Sequence, residues 1–178
     1  MLTSSRLTFL KPLIPRKLQI EIRQILVRQL LPDVKDVWPI DPKSAAPPQD
    51  WKGWPENKKF ALILTHDIDT QEGHDNCPQL AEIEKRFGLR SSFNFVEGDY
   101  KLSNKMIREL QSNGFEIGSH SIHHKNPFES KKIFQEKAIK INQYLKDWNA
   151  VGFRSPSMYH DLDMLHDLNI EYDASTFD

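Results

Sequence analysis

The chain has 178 residues, 38% hydrophobic and 28% charged, with 24 Lys+Arg against 25 Asp+Glu and a net charge of -1. That is enough apolar material for one core, and the balanced charge excludes the basic excess with which proteins hold nucleic acid. The single cysteine, Cys77, excludes an internal disulfide and a thiolate metal cluster.

The first residues, M-L-T-S-S-R-L-T-F-L-K-P-L-I-P-R-K, have neither the long apolar stretch nor the small-residue cleavage site of a signal peptide. No run approaches the roughly 18 to 20 apolar residues of a membrane span, so a cytoplasmic location is the expectation. Lys17 to Leu31 is predicted to be a helix, because Leu18, Ile22, Ile25, Leu26 and Leu30 recur at steps of three and four and Pro32 ends the pattern. Arg16, Lys17, Arg23 and Arg28 make it basic. Peripheral contact with an anionic membrane is one use of such a helix, and docking on the protein's own core is the commoner one. Val34 to Lys59 carries Pro39, Pro42, Pro47, Pro48 and Pro55 with Trp38, Trp51 and Trp54, the composition of an ordered wrap. Residues 1–59 are thereby set apart from an α/β domain over 60–178.

From Phe60 strands and helices alternate. Ala61 to Leu64 is a predicted strand, an unbroken apolar run of the kind covered on both faces. Pro78 to Phe87 follows as a helix, Ser91 to Val96 as a strand, and Ser103 caps a helix through Ser112 that Gly114 stops. Phe115 to Gly118 is a short strand, Glu129 to Trp148 a long helix and Val151 to Arg154 a fourth strand. Asp161 to Leu168 is a helix, and Tyr172 to Ser175 begins a fifth strand. This order implies right-handed β-α-β units around a parallel sheet. A complete eight-stranded barrel takes about 250 residues, so the expectation is an open sheet or a barrel truncated after about five strands.

Three polar clusters fall at the carboxyl ends of predicted strands, the rim where α/β proteins gather ligands. They are T-H-D-I-D-T at 65–70, S-H-S-I-H-H at 119–124 and G-F-R-S-P-S at 152–157. Two imidazoles and a carboxylate are a common set for a borderline divalent metal that keeps an open position for water. His120 and His124 are four apart, so one helical turn would put both rings on one face, and Asp69 offers the third ligand. A metal-bound water acidifies toward neutrality and becomes a nucleophile for a carbonyl. Asp67, two residues from Asp69 on an extended chain, is then the candidate general base, and Arg154 offers a charged fork to orient it. Each piece alone has an ordinary reading: a solvated His pair, a turn aspartate, a surface arginine. Their coincidence at strand ends favours the metal site.

In this order and spacing the clusters resemble the polysaccharide deacetylase family, also known as the NodB homology domain or carbohydrate esterase family 4. T-H-D-I-D resembles its first motif, with a residue between the two aspartates; E-I-G-S-H-S-I-H-H resembles its second, H-[ST]-x-x-H; G-F-R-S-P-S resembles its third, R-x-P-Y. R-S-S-F-N-F-V resembles the family's second strand. The resemblance implies a distorted (β/α) barrel of seven or eight strands, here truncated after about five. It implies Asp67 as catalytic base, Asp69, His120 and His124 as ligands of a divalent metal, most often Zn2+, and Arg154 as tether of the base. The main-chain N–H of Ser157 would stabilise the oxyanion. The implied reaction is removal of an acetyl group from an N- or O-acetylated saccharide or polysaccharide.

This chain departs from the family pattern at three places. His66 stands where the family has Phe, and is expected to pack or to make a second-shell bond rather than to ligate. Ser157 replaces Tyr, which removes a ring and keeps the N–H. The family's general acid, a histidine, is expected beyond Asp178, so the fragment is expected to bind metal yet turn over poorly. His160 and His166 are read as helix-surface residues, His74 and Asp75 as exposed loop residues, and Cys77 as an unactivated thiol. Two rival functions are an amidase acting on a small non-sugar C–N bond and a non-catalytic carbohydrate-binding relative. An all-helical His-Asp phosphohydrolase, suggested by His66-Asp67 alone, conflicts with the strand-like L-I-L-T-H-D.

Overall fold

The structure, a computed structural model, describes residues 15–36, 47 and 49–176. It divides into two compact units, Met1–Gly53 and Trp54–Asp178. In the first, helix α1 (Arg16–Leu30) forms as the periodicity predicts, and none of its residues is buried. Most of the expected Pro/Trp-rich wrap lies outside the described residues. No helix among the described residues is long and apolar enough to cross a membrane.

The second unit is built on five strands: β1 (Thr65–Ile68), β2 (Ser92–Phe95), β3 (Glu116–Ser119), β4 (Gly152–Phe153) and β5 (Tyr172–Asp173). They pair in parallel in the consecutive order β1-β2-β3-β4-β5. A doubly wound sheet reverses direction at a switch point, and none occurs here. The fold is α/β of the distorted (β/α) barrel type.

Register sorts the side chains onto two faces. His66, Phe93 and Ile117 share one paired row and Ile68, Phe95 and Ser119 another. Their face takes the helices: Phe95 meets Trp148 edge-on at 6.3 Å, and Phe93, Phe95, Phe134 and Phe153 have no exposed surface. Each such ring contributes about 2–3 kcal/mol by leaving water. Thr65, Asp67, Ser92, Asn94, Gly118 and Gly152 point the other way. Asp67 and Asn94 thus share one face, opposite the helices.

Local signals set most boundaries. Ser103 and Ser130 accept hydrogen bonds from Met106 N and Ile133 N, starting α3 (Asn104–Ser112) and α4 (Lys131–Trp148). Asp161 caps the one-turn α5 (Leu162–Leu165) in the same way.

The expected fourth strand and last helix shorten to β4 and α5, and two boundaries differ further from expectation. The first strand is Thr65–Ile68 rather than 61–64, because ladder length is set by the partner: β2 pairs from Ser92, opposite Thr65. The apolar run before it is left outside the ladder, with Phe60, Leu62 and Ile63 exposed. Helix α2 spans Gln71–Arg86, starting seven residues before Pro78. Gly73 and Pro78 both look like helix breakers, but the Thr70 hydroxyl accepts Gly73 N–H at 3.1 Å and caps the early start. The helix then buries His74 and Cys77. His74, expected in an exposed loop, is therefore a buried helical residue whose Nε2 accepts Ser103 N–H at 3.1 Å.

Candidate metal centre

The ends of β1, β3 and β4 bring the three clusters together. Ligand atoms of Asp69, His120 and His124 all lie within 4.8 Å of one another. His120 Nε2 is 3.4 Å from Asp69 Oδ1, and His124 Nε2 is 3.4 Å from Asp69 Oδ2. Ligands about 2.0–2.1 Å from a tetrahedral ion sit roughly 3.3–3.4 Å apart, so these separations suit one.

The protonation pattern also suits a cation. Parallel pairing sets β4 beside β3, and there the Nδ1 proton of His120 is donated to the main-chain carbonyl of Arg154 at 2.7 Å. That leaves a lone pair on Nε2, aimed at Asp69 Oδ1, a buried oxygen with no hydrogen-bond partner. Two acceptors face each other, an arrangement that a cation between them resolves. Burial holds the His120 pKa below its ordinary value, outweighing the pull of Asp67, the Arg154 carbonyl and Asp69. The ring is 2% exposed and stays neutral, the form in which imidazole ligates.

The two imidazoles meet, with ring centroids 5.6 Å apart, but not by the helical turn expected of a four-residue spacing. The segment after β3 is irregular and bends at Ser121, whose φ is 69.

Asp67 lies on the polar face beside this triad. Asn94, its register partner on β2, donates Nδ2–H to Asp67 Oδ1 at 3.2 Å. Arg154 Nε is 3.2 Å from Asp67 Oδ2, a contact that is an ion pair in distance and falls short of hydrogen-bond geometry. Arg154 Nη1 donates to Thr65 Oγ1 at 2.8 Å, which fixes the guanidinium plane. Gly118 makes room for Asn94, since a Cβ there would collide with Asn94 Oδ1. Ser157 sits in the turn Pro156–Met158 after β4, exposed, with φ 53.

His66 alternates with Asp67 and so faces the helices. Its Nε2 bonds Glu84 Oε1 on α2 at 2.5 Å and its ring packs on Phe93 at 5.0 Å. Glu84 in turn accepts the Ser91 hydroxyl at 2.6 Å. Among the described residues His66 makes no bond to Asp69, His120 or His124. His160 and His166 are exposed.

Sequence reasoning missed four contributors. Asn94 and Thr65 become visible only once the register sets Asn94 opposite Asp67 and folds Arg154 onto Thr65. Asp99 and Glu97, in the turn after β2, back the His120–His124 segment. Burial drives the Glu97 carboxyl up to about 8, against the hydrogen bond that Ser119 gives it at 2.5 Å. Burial also raises Asp99, but hydrogen bonds from His124 N and His123 outweigh it and hold that carboxyl below its ordinary value.

The family model described as polysaccharide deacetylase matches residues 55–168. None of the curated proteins compared with the chain matches it. Among solved structures, the chain is similar to the chitin deacetylase of the fungal pathogen Colletotrichum lindemuthianum, with TM-score 0.51, 20% identity and coverage of 62% of this chain and 53% of that one. A polysaccharide deacetylase-like protein of Mycobacterium smegmatis gives TM-score 0.59 and 18% identity over 68% of this chain and 52% of that one. The peptidoglycan deacetylase PdaC of Bacillus subtilis gives 0.52 and 15% over 63% and 56%. The chain spans about half the length of these proteins, and at such identities they share its fold. With the family model covering well over half of its residues, the chain belongs to the polysaccharide deacetylase family.

Proposed function

We propose that this protein is a metal-dependent hydrolase that removes acetyl groups from N-acetylated saccharides or polysaccharides. The observation that carries the proposal is the lone pair of His120 Nε2 facing the unpartnered Asp69 Oδ1, with Asp67 held alongside. Asp69, His120 and His124 would hold a divalent ion, Zn2+ by the chemistry of two imidazoles and one carboxylate. Such an ion, when bound, acidifies a water and polarises a carbonyl.

The chain's own residues supply the rest. Asp67 takes up a proton as general base, with Asn94 on one oxygen and Arg154 on the other leaving it a single orientation. The Ser157 main-chain N–H, in the turn after β4, serves as the oxyanion donor. The substrate is an acetylated saccharide.

Acetate release from N-acetylated chito-oligosaccharides, compared with hydrolysis of cyclic amides and run with and without a chelator, tests the reading. Chelator-sensitive release from the saccharides is expected. Hydrolysis of the cyclic amides alone would replace the proposal with the amidase reading. Saccharide binding without hydrolysis would favour the non-catalytic relative, to which the loss of a ring at Ser157 already points.

A further inference from the structure

The segment carrying His124 has no regular structure of its own, and its histidine is 40% exposed at the side chain. A ligand on such a segment needs support from behind, as metal-bound histidines generally receive. Residues 97–99 supply it by running alongside 119–124 beyond the end of the β2–β3 ladder. Glu97 N donates to Ser121 O at 3.2 Å and Gly98 N to Ile122 O at 2.6 Å. Only glycine allows this approach, because a Cβ on residue 98 would lie 2.6 Å from Ile122 O.

Asp99 closes the seam with both carboxylate oxygens. Oδ2 accepts His124 N–H at 2.8 Å, and Oδ1 accepts the His123 ring N–H at 2.7 Å. His123 is thereby turned outward while the backbone at His124 is fixed, and His124 Nε2 is presented to Asp69 at 3.4 Å. We propose that Asp99 is a positioning residue of the metal centre, acting through the main chain of His124 and the ring of His123. The proposal rests on the metal-site reading above and adds to it a residue outside the three ligands. Geometry, not charge, is what it supplies: two acceptors on one rigid fork, aimed at two consecutive residues.

Titration of the metal-free protein with Co2+, followed by its visible absorption, and with Zn2+ by competition with a chromogenic chelator, tests this on D99A and D99N. The loss of such outer support costs 10–100-fold in metal affinity, as a rule of thumb. D99A is expected to lose about that much and to change the Co2+ spectrum. D99N keeps an acceptor for His124 N and is expected to fall between D99A and the unchanged protein. A metal-free thermal midpoint for D99A within about 4 °C of the unchanged protein would mark the loss as local. Equal Co2+ affinity in D99A overturns the proposal and leaves the metal site standing. If the unchanged protein binds no Co2+, the metal site and the proposal both fall. Should D99A not fold, D99N decides, with a several-fold loss in support and unchanged affinity against.

Discussion

The carbonyl of Arg154 accepts the Nδ1 proton of His120 at 2.7 Å, while the guanidinium of the same residue lies 3.2 Å from Asp67. One residue thus serves the proposed metal ligand through its main chain and the proposed base through its side chain. In R154A the carbonyl remains, so Zn2+ affinity should stay within a few-fold of normal. Hydrolysis should fall on the order of 100-fold, the cost of a base displaced by about an ångström. Parallel metal titration and acetate-release assays check the split, and joint loss of both would contradict it.

The two aspartates of D-I-D should fail differently. D69A removes an oxygen from the triad and is expected to abolish metal binding. D67N should keep the ion and stop turnover, because the amide cannot take a proton. Metal content by elemental analysis, beside activity, separates the two, and equal metal loss in both variants would refute the division of roles.

Glu97 makes stability depend on pH. Its carboxyl holds its proton to about 8 in the folded chain, whereas its ordinary value is 4.5. Between those values the unfolded chain binds fewer protons than the folded one, so stability falls as pH rises through that window and levels off above it. E97Q keeps an acceptor for the Ser119 hydroxyl and cannot ionise. Its urea midpoint should decline less between pH 5 and 8.5, by on the order of a few kcal/mol in stability.

Cys77 is 1% exposed, and burial pushes its thiol up to about 12. It should resist iodoacetamide at pH 8 in the folded protein and react fully in urea. Mass spectrometry before and after denaturation gives the answer, and rapid labelling of the native chain would show that α2 opens.

Gly118→Ala should act at a distance. The added methyl meets Asn94 Oδ1, and moving Asn94 frees one oxygen of Asp67. A stability loss of about 1–3 kcal/mol by urea titration is expected, as for overpacking elsewhere. Activity should fall while metal affinity holds.

Much of this was legible in residue order because the deciding signals are local. Ser103 caps its helix, and glycine marks the end of α3. Asp69, His120 and His124 converge because parallel strands put their carboxyl ends on one rim. What was illegible depends on pairing. The start of β1 is set by Ser92 on its neighbour, not by the apolar run before it. His74 looked like a loop residue because Gly73 and Pro78 mask a helix that Thr70 starts. Asn94 and Asp99 carry no motif, and their roles arise from register and from a seam between two turns.

Ile68, 5% exposed, is wedged into the core between the two aspartates and ties both to the same stretch of backbone. With proton uptake assigned to one neighbour and ion holding to the other, a single codon change at position 67 would leave a well-folded, loaded and chemically silent molecule.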